Sequence, residues 1–351
     1  MPLGITVLDL TRLLPGATAT AILAERGAEV IKIEQPGEGD YARSLVPDVF
    51  AASNAGKKSV SINLKDPRGR DLLLSLVRRA DVLIESFRPG TMARLGLGYG
   101  QLREVNPRLI YASLTGYGQS GVYADLAGHD VNYLALGGVL DLNLPVIPGV
   151  QIADLAGGAM QAVIAILFAL LDRGATGEGR HLDISMLAGV ESLLTIPLAA
   201  YRTTGRTPQA NEEILGGRYA CYNLYEASDG RWLAVGALEP KFWAALCVQL
   251  GCEELIPLQF CEDDRRGAIK DRVASIFRTR TASEWFGALR SHDCCVTPVL
   301  NVAEVAATMP QPDPTQRPPR LGEHTRPILD SIGVRAADLD ALEAAGIIQS
   351  R

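Results

Sequence analysis

Short apolar runs alternate with helix-length stretches through the first half of the chain. Ile5–Leu10 reads as a strand, Gly16–Arg26 as a helix and Glu29–Glu34 as a second strand, a βαβ opening with Pro15-Gly16 at its first turn. The pattern repeats as strand Ser59–Leu64, helix Pro67–Arg79 and strand Asp81–Glu85, followed by strand Leu109–Leu114, which ends at Gly116-Tyr117-Gly118. Strands alternating with helices predict a parallel sheet, and such sheets bind ligands at the carboxyl ends of their strands. Leu155–Leu171 is almost wholly apolar and stops at Asp172-Arg173-Gly174, the pattern of a buried globular helix rather than a membrane span. His181–Ser185 then reads as a strand and Leu187–Tyr201 as a helix.

After Arg202 the character changes. Residues 202–217 are polar and loop-like, a linker. Arg218–Gly236 alternates polar and apolar around Ser228-Asp229-Gly230-Arg231, as a β-hairpin does. Helices are predicted at Pro240–Leu250, Arg265–Arg278 and Ala282–Ser291, and the proline-dense stretch 310–319 reads as a second linker. The expected organisation is a large α/β domain over 1–201, completed by 320–351, and a smaller α+β domain over 218–309.

Composition narrows the classes. With 351 residues, 47% of them hydrophobic, the chain can bury a large core, and a net charge of −6 with no basic stripe argues against nucleic acid as a partner. The first ten residues carry no basic segment followed by an apolar one, so the expectation is a cytoplasmic protein with no membrane association. The six cysteines form no CxxC pair and the four histidines are scattered, so buried free thiols are expected and no metal site.

Candidate chemistry concentrates in two places. His129 lies in Gly128-His129-Asp130-Val131-Asn132-Tyr133, and Asp154 opens the long apolar run in Ala153-Asp154-Leu155-Ala156-Gly157-Gly158. A neutral imidazole and a carboxylate suit the movement of a carbon-bound proton near neutral pH. A helix start at Asp154 would add stabilisation for developing negative charge, so base, second base and anion site together suggest an enolate. A dinucleotide-dependent dehydrogenase, with Glu34 on a ribose, is the rival reading. Leu13-Leu14-Pro15-Gly16-Ala17-Thr18 lacks the glycine pattern that it requires.

Five further motifs, Ile31-Lys32-Ile33-Glu34, Ser86-Phe87-Arg88-Pro89-Gly90, Arg94-Leu95-Gly96-Leu97-Gly98, Thr115-Gly116-Tyr117-Gly118-Gln119 and Leu321-Gly322-Glu323-His324-Thr325, resemble the family III CoA-transferase superfamily in their order. Gly128–Tyr133 and Ala237-Leu238-Glu239-Pro240-Lys241-Phe242-Trp243 resemble its α-methylacyl-CoA racemase branch. The resemblance implies a Rossmann-like large domain and a smaller domain joined by two linkers, with two chains interlocked as a homodimer. His129 and Asp154 would be the two bases on opposite faces of an acyl α-carbon. Glu239, acting from the partner chain, would orient the imidazole, and Tyr222 would lie close by. The thioester oxygen would sit near the backbone N–H of Asp154. Coenzyme A, carried as the substrate thioester with no other cofactor, would draw on Ile62, Asn63, Leu64, Lys65, Ser86, Phe87, Arg88, Arg94 and the stretch Gly128, Asp130, Val131, Asn132 and Tyr133. Lys57 and Lys58 are further basic candidates.

The chain departs from the pattern at Val150, where the branch usually has Asn, and at Gln35, where the family tends to place a CoA-binding Arg. The stretches 129–154 and 305–320 are shorter than in the family. A CoA-transferase, with Asp154 as nucleophile forming a mixed anhydride, is the alternative activity. A catalytically silent CoA-binding protein is a third.

Overall fold

The parallel sheet is present, and it is covered on both faces. In a computed structural model, which describes residues 4–310, 313 and 316–351, six parallel strands run β1 Thr6–Leu10, β2 Glu29–Glu34, β3 Lys58–Ile62, β4 Val82–Glu85, β5 Ile110–Thr115 and β6 His181–Ser185. Their spatial order is β3-β2-β1-β4-β5-β6, and a short strand from the C-terminal segment, Ile348–Gln349, pairs antiparallel with β3 at the edge. Alternate strand residues enter two separate cores. Leu8, Ile31, Val60 and Leu83 pack on one face against the helix Pro67–Val77, and Val7, Val30, Val82 and Ile110 pack on the other against the helix Leu13–Glu25. Each fully buried Leu or Ile contributes about 1.5–3 kcal/mol.

The predicted strands match to within two residues at each end. The helix Leu187–Tyr201 is instead two helices, Met186–Leu193 and Thr195–Thr204. Pro197 has no N–H for the carbonyl of Leu193, which the sequence reading overlooked.

The long apolar helix begins earlier than expected and is wound differently. Ala153–Met160 is π-helical and continues as the α-helix Gln161–Thr176, which Gly177 ends in the left-handed conformation (φ 76°). It was expected to be buried, yet only one face is. Met160, Ile164, Leu167, Phe168 and Leu171 form a stripe at helical spacing on the open face, with Phe168 67% and Leu171 72% exposed. At 24 residues it is also long and apolar enough to cross a membrane by length and composition. Its π-wound start runs hard against the helix Met186–Leu193. A Cβ on Gly157 would lie 2.8 Å from the Met186 carbonyl oxygen, and one on Gly189 only 2.0 Å from that of Gly157. Both positions need glycine for close backbone approach.

By internal contacts the chain divides into two units, Met1–Thr195 with Pro312–Arg351, and Ile196–Gln311. The expected linker at 310–319 falls in part outside the described residues. The second unit has an antiparallel sheet of β7 Tyr222–Glu226, β8 Trp232–Gly236 and β9 Val296–Pro298, in that order. The first two form the predicted hairpin. The helices Pro240–Leu250, Arg265–Phe277 and Ala282–Leu289 bury Trp243, Phe277 and Trp285 against it, and both indole N–H groups reach backbone carbonyls. Four of the six cysteines are buried; Cys261 is half-buried and Cys295 exposed, and all six are free thiols.

Candidate active site

At the carboxyl edge of the parallel sheet, the chain leaving β5 passes through Gly116 and Tyr117 and returns to bring Gly128–Tyr133 over them. Tyr133 is buried edge-on against Tyr117, with ring centroids 5.0 Å apart, and its hydroxyl donates to the Gly128 carbonyl (2.7 Å). A Cβ on Gly116 or Gly128 would strike the Tyr133 ring, so both glycines make room for it. Burial, with Asp154 nearby, pushes the Tyr133 phenol well above its ordinary pKa, so it stays a hydrogen-bond donor.

His129 is the N-cap of the helix Asp130–Leu136, and its backbone N–H donates to Asn132 Oδ1 (3.0 Å), which holds the exposed imidazole at the helix mouth. Asp130, the first residue of that helix, turns the other way. Its Oδ1 accepts the backbone N–H of Asp154 at 2.9 Å, one of the N–H groups that the start of the long helix leaves without an intrahelical partner. Asp154 is itself half-buried in the first π-wound turn. Burial pushes its carboxyl up to about 6, the charge of Asp130 pushes the same way, and His129 opposes them. The Asp130 carboxylate thus ties the helix that His129 caps to the start of the helix that carries Asp154. One expectation needs correction: the Asp154 N–H assigned to the thioester oxygen is already occupied by the Asp130 carboxylate. Val131 lies on the exposed face of the same helix.

Farther along the same edge, a cavity of about 310 Å³ opens over the ends of β1 to β4. Ile62, Asn63, Leu64, Lys65 and Phe87 line it. Ser86 stands behind it, its Oγ accepting the backbone N–H of Arg12 (3.0 Å). Arg88 and Arg94 are exposed beside it, and Arg94 donates to Thr91 Oγ1 (2.9 Å). Gln35 lines the wall too, with its amide donating to Glu38 (3.1 Å). Lys57 and Lys58 lie elsewhere. The Lys57 ammonium is buried beneath β1, bonded to Asp9 (3.2 Å), Thr20, Asn54 and the Ala17 carbonyl; burial lowers it to about 8. Burial alone would raise Asp9, but Lys32 and Lys57 hold it at about 2. Lys58 pairs with Glu29 at the opposite, amino-terminal edge of the sheet.

In the second unit, Tyr222 opens β7 and pairs in register with Gly236, the last residue of β8. Glu239 follows as the exposed N-cap of the helix Pro240–Leu250, so both expected residues lie at one end of that sheet. Among the described residues there is no cluster of metal-ligating side chains.

The model of CoA-transferase family III matches residues 3–325. The chain belongs to that family. It is 35% identical to the human α-methylacyl-CoA racemase, over 99% of this chain and 97% of that protein. It is 36% identical to the acetyl-CoA:oxalate CoA-transferase of Acetobacter aceti, over 88% of this chain and 82% of that protein. The crystal structure of a CaiB/BaiF family protein from Brucella suis superposes with a TM-score of 0.79 at 29% identity, covering 94% of this chain and 98% of that one. The chain is thus an enzyme of the family III CoA-transferase and racemase superfamily, and relatives of both kinds lie at similar identity. Two features of this family III chain escaped the motif reading. One is the role of Asp130 as cap of Asp154, which joins residues 24 positions apart. The other is Arg12 in the cavity wall, which the position of its loop after β1 could have flagged.

Proposed function

We propose that this enzyme racemises 2-methyl-branched acyl-CoA thioesters. The observation that carries the reading is the Asp130–Asp154 hydrogen bond, which ties the helix capped by His129 to a half-buried carboxyl raised to about 6. The pKa of a catalytic base serves best near the working pH. One of the two takes the α-proton, the bonding pair passes into the thioester as an enolate, and the other, protonated, returns a proton to the opposite face. Asp130 either moves off the Asp154 N–H to admit the thioester oxygen or leaves that charge to another donor. Glu239 and Tyr222 complete the site from a partner chain, Glu239 orienting the imidazole.

The cavity over β1 to β4, with Lys65 in its wall and Arg88 and Arg94 beside it, suits the nucleotide half of CoA. No cofactor beyond CoA itself enters the mechanism, and we place the reaction in the cytoplasm. The exposed stripe Met160, Ile164, Leu167, Phe168 and Leu171 supports a homodimer, because a face of that length and apolarity is stable when covered.

The transferase reading rests on the relatives of that activity at similar identity. Asp154 would attack the thioester carbonyl, expelling CoA as thiolate and forming a mixed anhydride. The thiolate would then attack the Asp154 carbonyl and release the first acid. The second acid would attack that new thioester to form its own anhydride, and the thiolate would attack the second acyl carbonyl, freeing Asp154. The test is to incubate a single-configuration 2-methylacyl-CoA with enzyme and a free carboxylic acid. Chiral chromatography should show the opposite epimer accumulating. A new thioester of the added acid, with the configuration retained, would establish the transferase instead.

A further inference from the structure

The cavity at the ends of β1 to β4 has two carboxylates in its wall, Glu34 and Asp40, and each already has its own cation. Arg43 holds Glu34 (2.7 Å) and Lys32 holds Asp40 (3.0 Å), all four being largely buried. Arg12 and Lys65 line the same cavity, and among the described residues neither has a carboxylate within ion-pairing distance. The wall therefore presents two uncompensated positive charges. Arg12 is the unusual one, because its guanidinium is half-buried and stands 5.3 Å from the Phe87 ring centroid and 5.5 Å from that of Tyr41. Aromatic faces fix the plane of a guanidinium while leaving its edge N–H groups free.

The backbone on either side of Arg12 is anchored as well. Thr11 N–H donates to Asp9 Oδ1 (2.9 Å), Lys32 donates to the Thr11 carbonyl (2.9 Å) and Arg12 N–H donates to Ser86 Oγ (3.0 Å). Leu13 is held at φ 61°, a left-handed conformation that costs a non-glycine residue roughly 1–3 kcal/mol. A loop locked by buried side chains and carrying backbone strain thus presents the planar one of the cavity's two unpaired cations.

We infer that Arg12 is the cation that meets a phosphate of the nucleotide half of the acyl-CoA, a role that rests on the acyl-CoA reading above. A guanidinium matches the spacing of two phosphate oxygens, so the contact is bidentate and charge-assisted. Gln35, turned towards Glu38, makes no such contact.

The test is calorimetric titration of the full chain with CoA, dephospho-CoA and pantetheine, using wild type, Arg12→Ala, Arg12→Lys and, as a distant charge control, Arg79→Ala. Arg12→Ala should weaken CoA binding roughly 10- to 100-fold. Arg12→Lys should lose less, Arg79→Ala should match wild type, and pantetheine should bind alike to all. Equal losses for CoA and dephospho-CoA would assign the contact to the diphosphate; a loss confined to CoA would assign it to the 3′-phosphate. If wild type binds CoA and Arg12→Ala binds it equally well, or weakens pantetheine in proportion, the inference is wrong. Arg12 then only braces its loop, and Arg12→Lys, which should fold, repeats the comparison should the alanine variant be unstable. If wild type binds no CoA at all, the acyl-CoA reading fails and the inference with it.

Discussion

Asp130→Asn isolates the electrostatics of the candidate site from its geometry. The amide oxygen still accepts the Asp154 N–H, so the start of the long helix stays capped, while the negative charge beside the Asp154 carboxyl disappears. Burial remains the larger cause of the raised pKa and Asp130 the second, so the carboxyl should fall part of the way from about 6 towards its ordinary 3.8. With its pKa near 6, Asp154 is about nine-tenths protonated at pH 5, and it is inactive whenever both it and His129 carry protons. A fall of about one unit would raise the ionised fraction at pH 5 from about one-tenth to about one-half. The acid limb of kcat/KM for α-proton exchange should therefore sit near pH 6 in wild type and move down in the variant. Activity at pH 5, relative to each enzyme's own plateau, should rise about fivefold. The assay is solvent exchange across pH 4–8 with one thioester. An acid limb that stays put would show that Asp130 does not tune Asp154. A wild-type limb near 4 would show that burial does not raise the Asp154 carboxyl.

Three further outcomes follow from the packing. Lys57→Met strips the buried partner from Asp9 and should cost about 3–5 kcal/mol in urea unfolding, against near-neutrality for a surface lysine. Gly157→Ala puts a methyl 2.8 Å from the Met186 carbonyl oxygen and should cost about 1–3 kcal/mol; an unchanged unfolding midpoint would mean that the two helices have slack. Phe168→Glu places a charge on the exposed stripe and should shift sedimentation from dimer to monomer without lowering the thermal midpoint of the monomer. A dimer that survives it would move the interface elsewhere.

The strand core and most helices were legible because strands β1 to β5 are buried on both faces and their apolar runs stand out against charged flanks. The β2 strand was read in full although Lys32 and Glu34 are charged, and only the fold reveals how those charges are satisfied. Most of what escaped the sequence was non-local. The break between Leu193 and Thr195 was local and readable at Pro197, but the π-winding of Ala153–Met160 has no periodicity signal. The Gly157–Gly189 contact, the Asp130 cap on Asp154 and the approach of Arg12 to the Tyr41 and Phe87 rings each join segments far apart in the chain. Motif reading named His129 and Asp154, yet it gave the Asp154 N–H to the substrate because nothing local to residue 154 announces a competitor from residue 130.

His129 and Asp154 should exchange the α-proton of a bound thioester from opposite faces. The most direct test is proton NMR of a single-configuration 2-methylacyl-CoA in D₂O with wild type, His129→Ala and Asp154→Ala. Wild type should replace the α-proton by deuterium as the epimer appears, and epimerisation should vanish in both variants. An α-proton that persists with wild type, while Asp154→Ala alone abolishes transfer of CoA to an added acid, would contradict the account.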